Sequence, residues 1–328
     1  MKTCCFVIPY FGRFPNYFQL FLNSCKFNPD LNWLIFSDDT SAYNFPPNVR
    51  LVRMTFEELK RHIQSFFDFD IVLPSPYKLC DYKPSYGYVF QDYLKDFSFW
   101  GYCDLDVILG DLSRYLTPEV LAAYDKIFCL GHMTLFKNTE ENNRLFMSEF
   151  KGQLLYKRAF TIGKIVTFDE EWRDENNINQ IFLNNGKKVF MADYTMNPSI
   201  SYNIFVRTVY VGHTRVADSH GYYTEQPKKA LYVWSQGHIY RYYFEDCKLR
   251  CEEFIYMHFQ MRKMKVDSRV LPLDKFKIIP DKFMPLEVEN VNEDNFRHIK
   301  TTGLCFNVLR LRLRGFKKKL KNVLPCLR

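Results

Sequence analysis

Two carboxylates stand two residues apart at Asp104 and Asp106, directly after the apolar run FWGYC at 99–103. A strand that ends there can turn both side chains toward one cation as the chain leaves the sheet. Hard oxygen ligands suit Mg²⁺ or Mn²⁺, and such ions commonly hold substrate phosphates as well. A cation bridging a diphosphate stabilises it as negative charge builds during its departure. Acids also end many strands without holding anything, so the pair needs company. The segment 77–87, YKLCDYKPSYG, supplies some. Lys78 and Lys83 suit phosphate, and Asp81 suits the hydroxyls of a ribose or a sugar.

The elements around these residues alternate between strand and helix. CCFVIP at 4–9 is a fully apolar run closed by Pro9 and followed by Gly12, the pattern of a buried strand with a loop at its C-terminal end. Asn16 is placed to cap a helix over 17–25. WLIFS at 33–37 predicts a second buried strand that runs into Asp38-Asp39, and 49–54 a third. Thr55 and Glu58 form a capping box for a helix to about 67. A polar and aromatic loop is expected at 74–87, then a helix over 88–94 that feeds the strand at 99–103. Thr117-Pro118 opens another helix. Further on, 126–130 reads as a strand, 140–150 and 177–184 as helices, and 188–192 as a strand. A hairpin over 232–244 and a strand over 253–258 close the reading. This order predicts an α/β fold with a mostly parallel sheet covered by helices. One catalytic domain is expected over 1–300, with halves at 1–110 and 111–300, and a separate tail at 301–328.

The 328 residues include 45 basic and 37 acidic ones, a net charge of +8. Eight of the basic residues, Arg310, Arg312, Arg314, Lys317, Lys318, Lys319, Lys321 and Arg328, lie in 310–328 with no acid among them. Removing them leaves 37 of each sign, so the body is neutral and no general polyanion binder. Phe306, Leu309, Leu313, Phe316, Leu320 and Val323 recur at three- and four-residue steps through the same segment. A basic amphipathic helix of this kind suits an anionic membrane surface, or else packs its apolar side on the body. The ten cysteines show no C-x-x-C pair and no zinc-like spacing, and a reducing compartment is expected. The opening apolar run lacks a small-residue cleavage site and reads as a strand rather than a signal peptide.

The arrangement Lys-x-x-Asp-x-Lys-Pro-x-x-Gly, a helix, an apolar strand and then Asp-Leu-Asp-Val resembles the GT-A glycosyltransferases of bacterial capsule and lipopolysaccharide assembly. The resemblance covers roughly 3–195. It implies a Rossmann-like, nucleotide-sugar-binding half with the donor over the C-terminal strand ends. Pro9, Tyr10, Asp38 and Asp39 would then flank the nucleoside, and Lys78, Asp81, Lys83 and Asp104 would contact the donor. Asp104 and Asp106 would hold Mn²⁺ or Mg²⁺. Lys83 stands where many such enzymes carry Arg, so a bidentate phosphate contact there is not expected. A third metal ligand from a C-terminal His is similar to what several of these enzymes use. His258 in YMHFQ is the candidate, with His213 as its rival.

The acid cluster FDEEW at 168–172 offers Asp169 and Glu170 as catalytic bases that take a proton from an acceptor hydroxyl, with Asp174 and Glu175 as neighbours. The same acids equally suit a helix N-terminus. Gly131, His132 and Lys137 are expected on the acceptor side. The implied partners are a nucleotide sugar, a glycan or lipid-linked acceptor, and an anionic membrane on its cytoplasmic face, with no nucleic acid. The competing reading is a catalytically inactive nucleotide-sugar binder of the same fold. A nucleotidyltransferase fits less well, because only Gly12 and Arg13 follow the first strand where a Gly-rich phosphate loop is needed.

Overall fold

In the computed structural model of the chain, the described residues are 2–172, 175–260, 262–303 and 305–323. Strand β1 (Lys2–Pro9) is buried from Cys4 to Ile8, which its unbroken apolar run requires of a strand covered on both faces. β2 (Leu31–Ser37) pairs with it in parallel, and β3 (Val49–Arg53) pairs with β2 in parallel. β4 (Phe97–Cys103) takes the other side of β1, again in parallel, with Gly101 opposite Phe6. β5 (Val107–Leu109) leaves this sheet. β6 (Lys126–Leu130) and β7 (Met133–Lys137) form a hairpin whose second strand lies antiparallel to β4, and β8 (Val189–Phe190) pairs in parallel with β6. The seven strands run in the order β3-β2-β1-β4-β7-β6-β8, the mostly parallel α/β sheet the sequence predicts.

Helices cover this sheet. Phe56–Gln64 opens with the expected capping box, Thr55 and Glu58 each accepting the other's backbone N–H. Phe18–Lys26 starts one residue later than expected, and Tyr17, not Asn16, stands at the N-cap position. The expected loop at 74–87 is instead a 3₁₀ helix, Pro76–Ser85, followed by short helices Tyr86–Val89 and Gln91–Leu94. The helix expected over 140–150 stops at Arg144 and tightens into a 3₁₀ turn, Leu145–Met147. Aromatic stacking fills the space beneath, with Trp100 on Phe136 at 4.4 Å and Tyr82 on Phe160 at 4.1 Å between ring centroids.

The chain divides into two compact units, which do not separate at 110. The first comprises Met1–Asp106, Asp111–Tyr194 and Tyr210–Tyr223; the second comprises Val107–Gly110, Thr195–Val209 and Thr224–Arg328. Strands β9 (Thr208–Tyr210) and β10 (Tyr222–Thr224) form a small ladder. The second unit contains a six-stranded sheet. Its members are β11 (Ala230–Ser235), β12 (His238–Glu245), β13 (Lys248–Phe254), β15 (Lys265–Val266), β16 (Lys275–Ile279) and β17 (Lys282–Met284), in the order β13-β12-β11-β16-β17-β15. The hairpin of β11 and β12 turns at Ser235 and His238, as expected. The single strand predicted over 253–258 is two strands. β13 ends at Phe254, and β14 (Tyr256–His258) pairs antiparallel with β5. The tail forms a helix, Asn307–Val323, and Phe306, Leu309, Leu313 and Phe316 beside and along it are exposed.

Candidate metal centre

The β5–β14 ladder sets His258 opposite Val107, the residue that follows Asp106 in the chain. Asp104, Asp106 and His258 each bring a ligand atom to within 4.8 Å of the other two. Two carboxylate oxygens and an imidazole nitrogen make a donor set that fits a divalent cation. His258 Nδ1 lies 3.2 Å from the side-chain oxygen of Asn197, a contact that orients the imidazole ring. Among the described residues the histidine of this group is His258; its rival, His213, is not part of it.

Strand β4 carries Asp104 to the C-terminal edge of the sheet, and its ladder with β7 continues one step further. Asp104 N–H donates to the carbonyl of His132 at 2.9 Å, in the β6–β7 turn. Lys83 Nζ joins the two sides, 2.8 Å from Asp104 Oδ1, 2.7 Å from the Gly131 carbonyl and 3.5 Å from Asp169 Oδ2. Burial works against the Lys83 ammonium, but Asp104 and Asp169 outweigh it and raise its pKa well above the ordinary lysine value. Burial pushes the Asp169 carboxyl well up, against Lys83 and with help from Glu170, Asp81 and Asp104. Gly131 N–H donates to Glu170 Oε2 at 3.3 Å, and a Cβ at 131 would stand 2.8 Å from that oxygen. Any side chain at 131 would have to displace the Glu170 carboxylate. Lys83, Asp104, Gly131, His132, Asp169 and Glu170 therefore form one constellation, in which residues expected on the donor side and on the acceptor side meet.

The loops after β1 and β2 lie at the same edge. Tyr10, just past Pro9, donates its backbone N–H to Phe36 at 2.9 Å. Burial raises the Tyr10 phenol, and the charges of Asp106 and Asp39 raise it further. Asp38 accepts Gly12 N–H at 2.7 Å and Asp39 accepts Phe14 N–H at 2.8 Å, so both carboxylates brace the loop after β1. Burial works against ionised Asp39, yet hydrogen bonds from Ser41 and Phe14, with the Arg13 charge, hold it below its ordinary range.

Three expected positions lie elsewhere. Lys78 and Asp81 are not in an open loop: both are fully buried and paired at 2.6 Å. Asp81 also accepts the N–H groups of Val166 and Phe168, and Lys78 donates to the Lys164 carbonyl. The pair pins the 164–168 segment that leads into Asp169. Lys137 pairs with Phe99 at the far end of the β4–β7 ladder, while Cys103, beside Asp104, pairs with Met133. Four strand residues separate the two ends, roughly 13 Å. Asp174 lies outside the described residues.

The sequence profile of a family of unknown function, DUF6625, matches residues 6–287. The chain belongs to DUF6625. No curated protein matches the DUF6625 chain. Among solved structures it is similar to the galactosyltransferase LgtC in complex with donor and acceptor sugar analogs. That likeness is 14% identity with a TM-score of 0.33, over 60% of this chain and 76% of that one. An active-site mutant of LgtC is similar at 13% identity with a TM-score of 0.32, over the same shares. At that distance the likeness carries no residue of the DUF6625 site, which rests on its own geometry. Asn197 is the member of the site that the sequence hides. It stands in MADYTMNPSI at 191–200, where no periodicity marks an element, and the Met196–Met257 bridge brings it beside His258.

Proposed function

We propose that this chain is a metal-dependent glycosyltransferase that moves a sugar from a nucleoside-diphosphate sugar to a glycan or lipid-linked acceptor. The observation that carries the reading is the Asp104, Asp106 and His258 cluster at the C-terminal edge of a parallel sheet, the edge at which α/β folds take nucleotides. A bound Mn²⁺ or Mg²⁺ would neutralise the departing diphosphate. The chain's own residues serve the rest of the chemistry. Lys83 adds a fixed positive charge beside Asp104 and orients that carboxylate. Gly131 N–H orients Glu170, and Lys83 faces Asp169, so both acids are held close to the metal ligands. A GT-A type arrangement, a role in surface polysaccharide assembly, and attachment to the cytoplasmic face of a membrane through the basic tail are part of the same proposal.

The test is a thermal-shift panel of UDP-, GDP- and CDP-sugars with and without Mn²⁺, because a ligand of the native state raises its apparent stability by mass action. One nucleotide class should raise Tm only when Mn²⁺ is present. Hydrolysis of that sugar nucleotide should follow. Binding with no turnover would favour the inactive binder, and no shift with any nucleotide would overturn the reading.

A further inference from the structure

We infer that Trp172 is the stacking platform for a pyranose ring of the acceptor; the inference rests on the glycosyl-transfer reading above. Trp33, Trp100 and Trp234 are buried, whereas 41% of Trp172 is exposed. An exposed ring by itself is unremarkable on a protein surface. Trp172 differs in how it is held and where it stands. Its indole stacks on the His220 ring at 5.2 Å and 14°, and meets the Tyr222 ring edge-on at 5.4 Å. Tyr222 is itself fixed, its hydroxyl donating to the Glu171 carbonyl at 3.2 Å and its N–H to Asp218 at 3.0 Å. The turn from Asp218 to Tyr222 closes through Gly221, at φ +84, whose N–H reaches the Asp218 carbonyl at 3.2 Å. The indole is therefore set before any ligand arrives, and a rigid aromatic contact costs little ordering on binding.

Its place gives the platform its partner. Trp172 lies two residues after Glu170, in the segment tethered to β6 by the Glu171 N–H bond to Cys129 at 3.2 Å. A sugar ring on the indole would lie beside the acids that the constellation gathers. The chemistry matches as well. One face of a pyranose carries several C–H groups with partial positive charge, and the face of an indole is negative. The hydroxyls at the ring edge are then free to meet carboxylates. The occupant is a pyranoside rather than an open-chain polyol or a purely lipidic group.

Because the other three tryptophans are buried, Trp172 reports on itself. In the full-length protein, acrylamide should quench one exposed emission component, and Trp172→Phe should abolish it. Methyl glucoside, methyl galactoside, lactose and chitobiose, each added without nucleotide or metal, form the probe panel, with mannitol as the open-chain control. At least one pyranoside should cut quenching of the exposed component by half or more, and mannitol should not. In turnover, Trp172→Ala should raise the KM for that sugar at least tenfold while donor hydrolysis to water stays unchanged. Trp172→Phe should restore part of the affinity, which separates stacking from a folding defect. Absence of protection by every pyranoside, or equal protection by mannitol, overturns the inference. Protection without donor hydrolysis would instead retain the platform and remove the transferase reading.

Discussion

Lys126 begins β6 fully buried, its Nζ donating to the Phe128 carbonyl and to the side-chain oxygen of Asn179, over the Phe136 ring. Two acceptors suit a neutral amine, which has two N–H groups to give. Burial lowers its pKa to about 7, against partial opposition from Cys129, Glu171 and Asp169. The unfolded chain holds that proton up to the ordinary lysine range, so between about pH 7 and 10 the unfolded state binds more protons. Stability from this residue must therefore rise with pH across that window, by roughly 1 kcal/mol per unit. Below about pH 7 both states are protonated and the dependence vanishes. Lys126→Met should flatten the slope between pH 7 and 9 in urea unfolding. A slope equal to that of the wild type would mean the lysine stays charged inside the fold.

At the scale of elements, the 3₁₀ helix Pro76–Ser85 and the segment 164–168 are joined by the Lys78–Asp81 pair. Removing one partner of a buried pair leaves an uncompensated charge, so Lys78→Ala should lose about 3–5 kcal/mol of stability in urea unfolding. Lys137→Ala, at the far end of the sheet, should change it by less than about 0.5 kcal/mol. An unchanged midpoint for Lys78→Ala with weakened donor binding would return Lys78 to direct donor contact. The same elements show what the sequence could tell. The buried strands at 4–9, 33–37 and 99–103 were legible because uninterrupted apolar runs have few other places to go. The Thr55–Glu58 box was legible because capping is local chemistry. The placement of Lys78 and Asp81 was not, because their partners are backbone groups more than eighty residues away. The break of 253–258 into β13 and β14 was equally hidden. Phe254 and Tyr256 are both buried apolar residues, and nothing in their spacing says that they join different sheets. Asp104, Asp106 and His258 were readable as residue types, but their convergence depends on the long-range β5–β14 pairing.

For the whole molecule, the net charge of +8 equals the tail's surplus, while Phe306, Leu309, Leu313 and Phe316 expose an apolar stripe. The start of the tail helix is tied down: Val308 N–H reaches Asn203 at 3.0 Å, and Asn307 reaches the Ile200 carbonyl at 3.4 Å. An exposed stripe of this kind is what the proposed membrane attachment requires. Each basic residue near an anionic leaflet adds about 1 kcal/mol, and the apolar side adds its buried area. The full chain should co-sediment with phosphatidylglycerol vesicles at low salt and not with phosphatidylcholine ones. A chain ending before Phe306 should lose that binding, keep its Tm, and keep transfer to a water-soluble acceptor. A lowered Tm with both reactions damaged would show that the helix packs on the body instead.

Asp104, Asp106 and His258 together should hold a divalent cation. Electron paramagnetic resonance of Mn²⁺ tests it without needing the substrate, because bound ion loses the sharp six-line signal of the free one. Loss of an outer-shell partner of a metal ligand commonly costs 10–100-fold in affinity, so loss of a ligand itself should cost at least about 100-fold. Wild-type protein should deplete the free signal, Asp106→Ala and His258→Ala should each fail to, and Lys137→Ala should bind as the wild type does. Equal Mn²⁺ binding by wild type, Asp106→Ala and His258→Ala would contradict a metal site shared by these three residues.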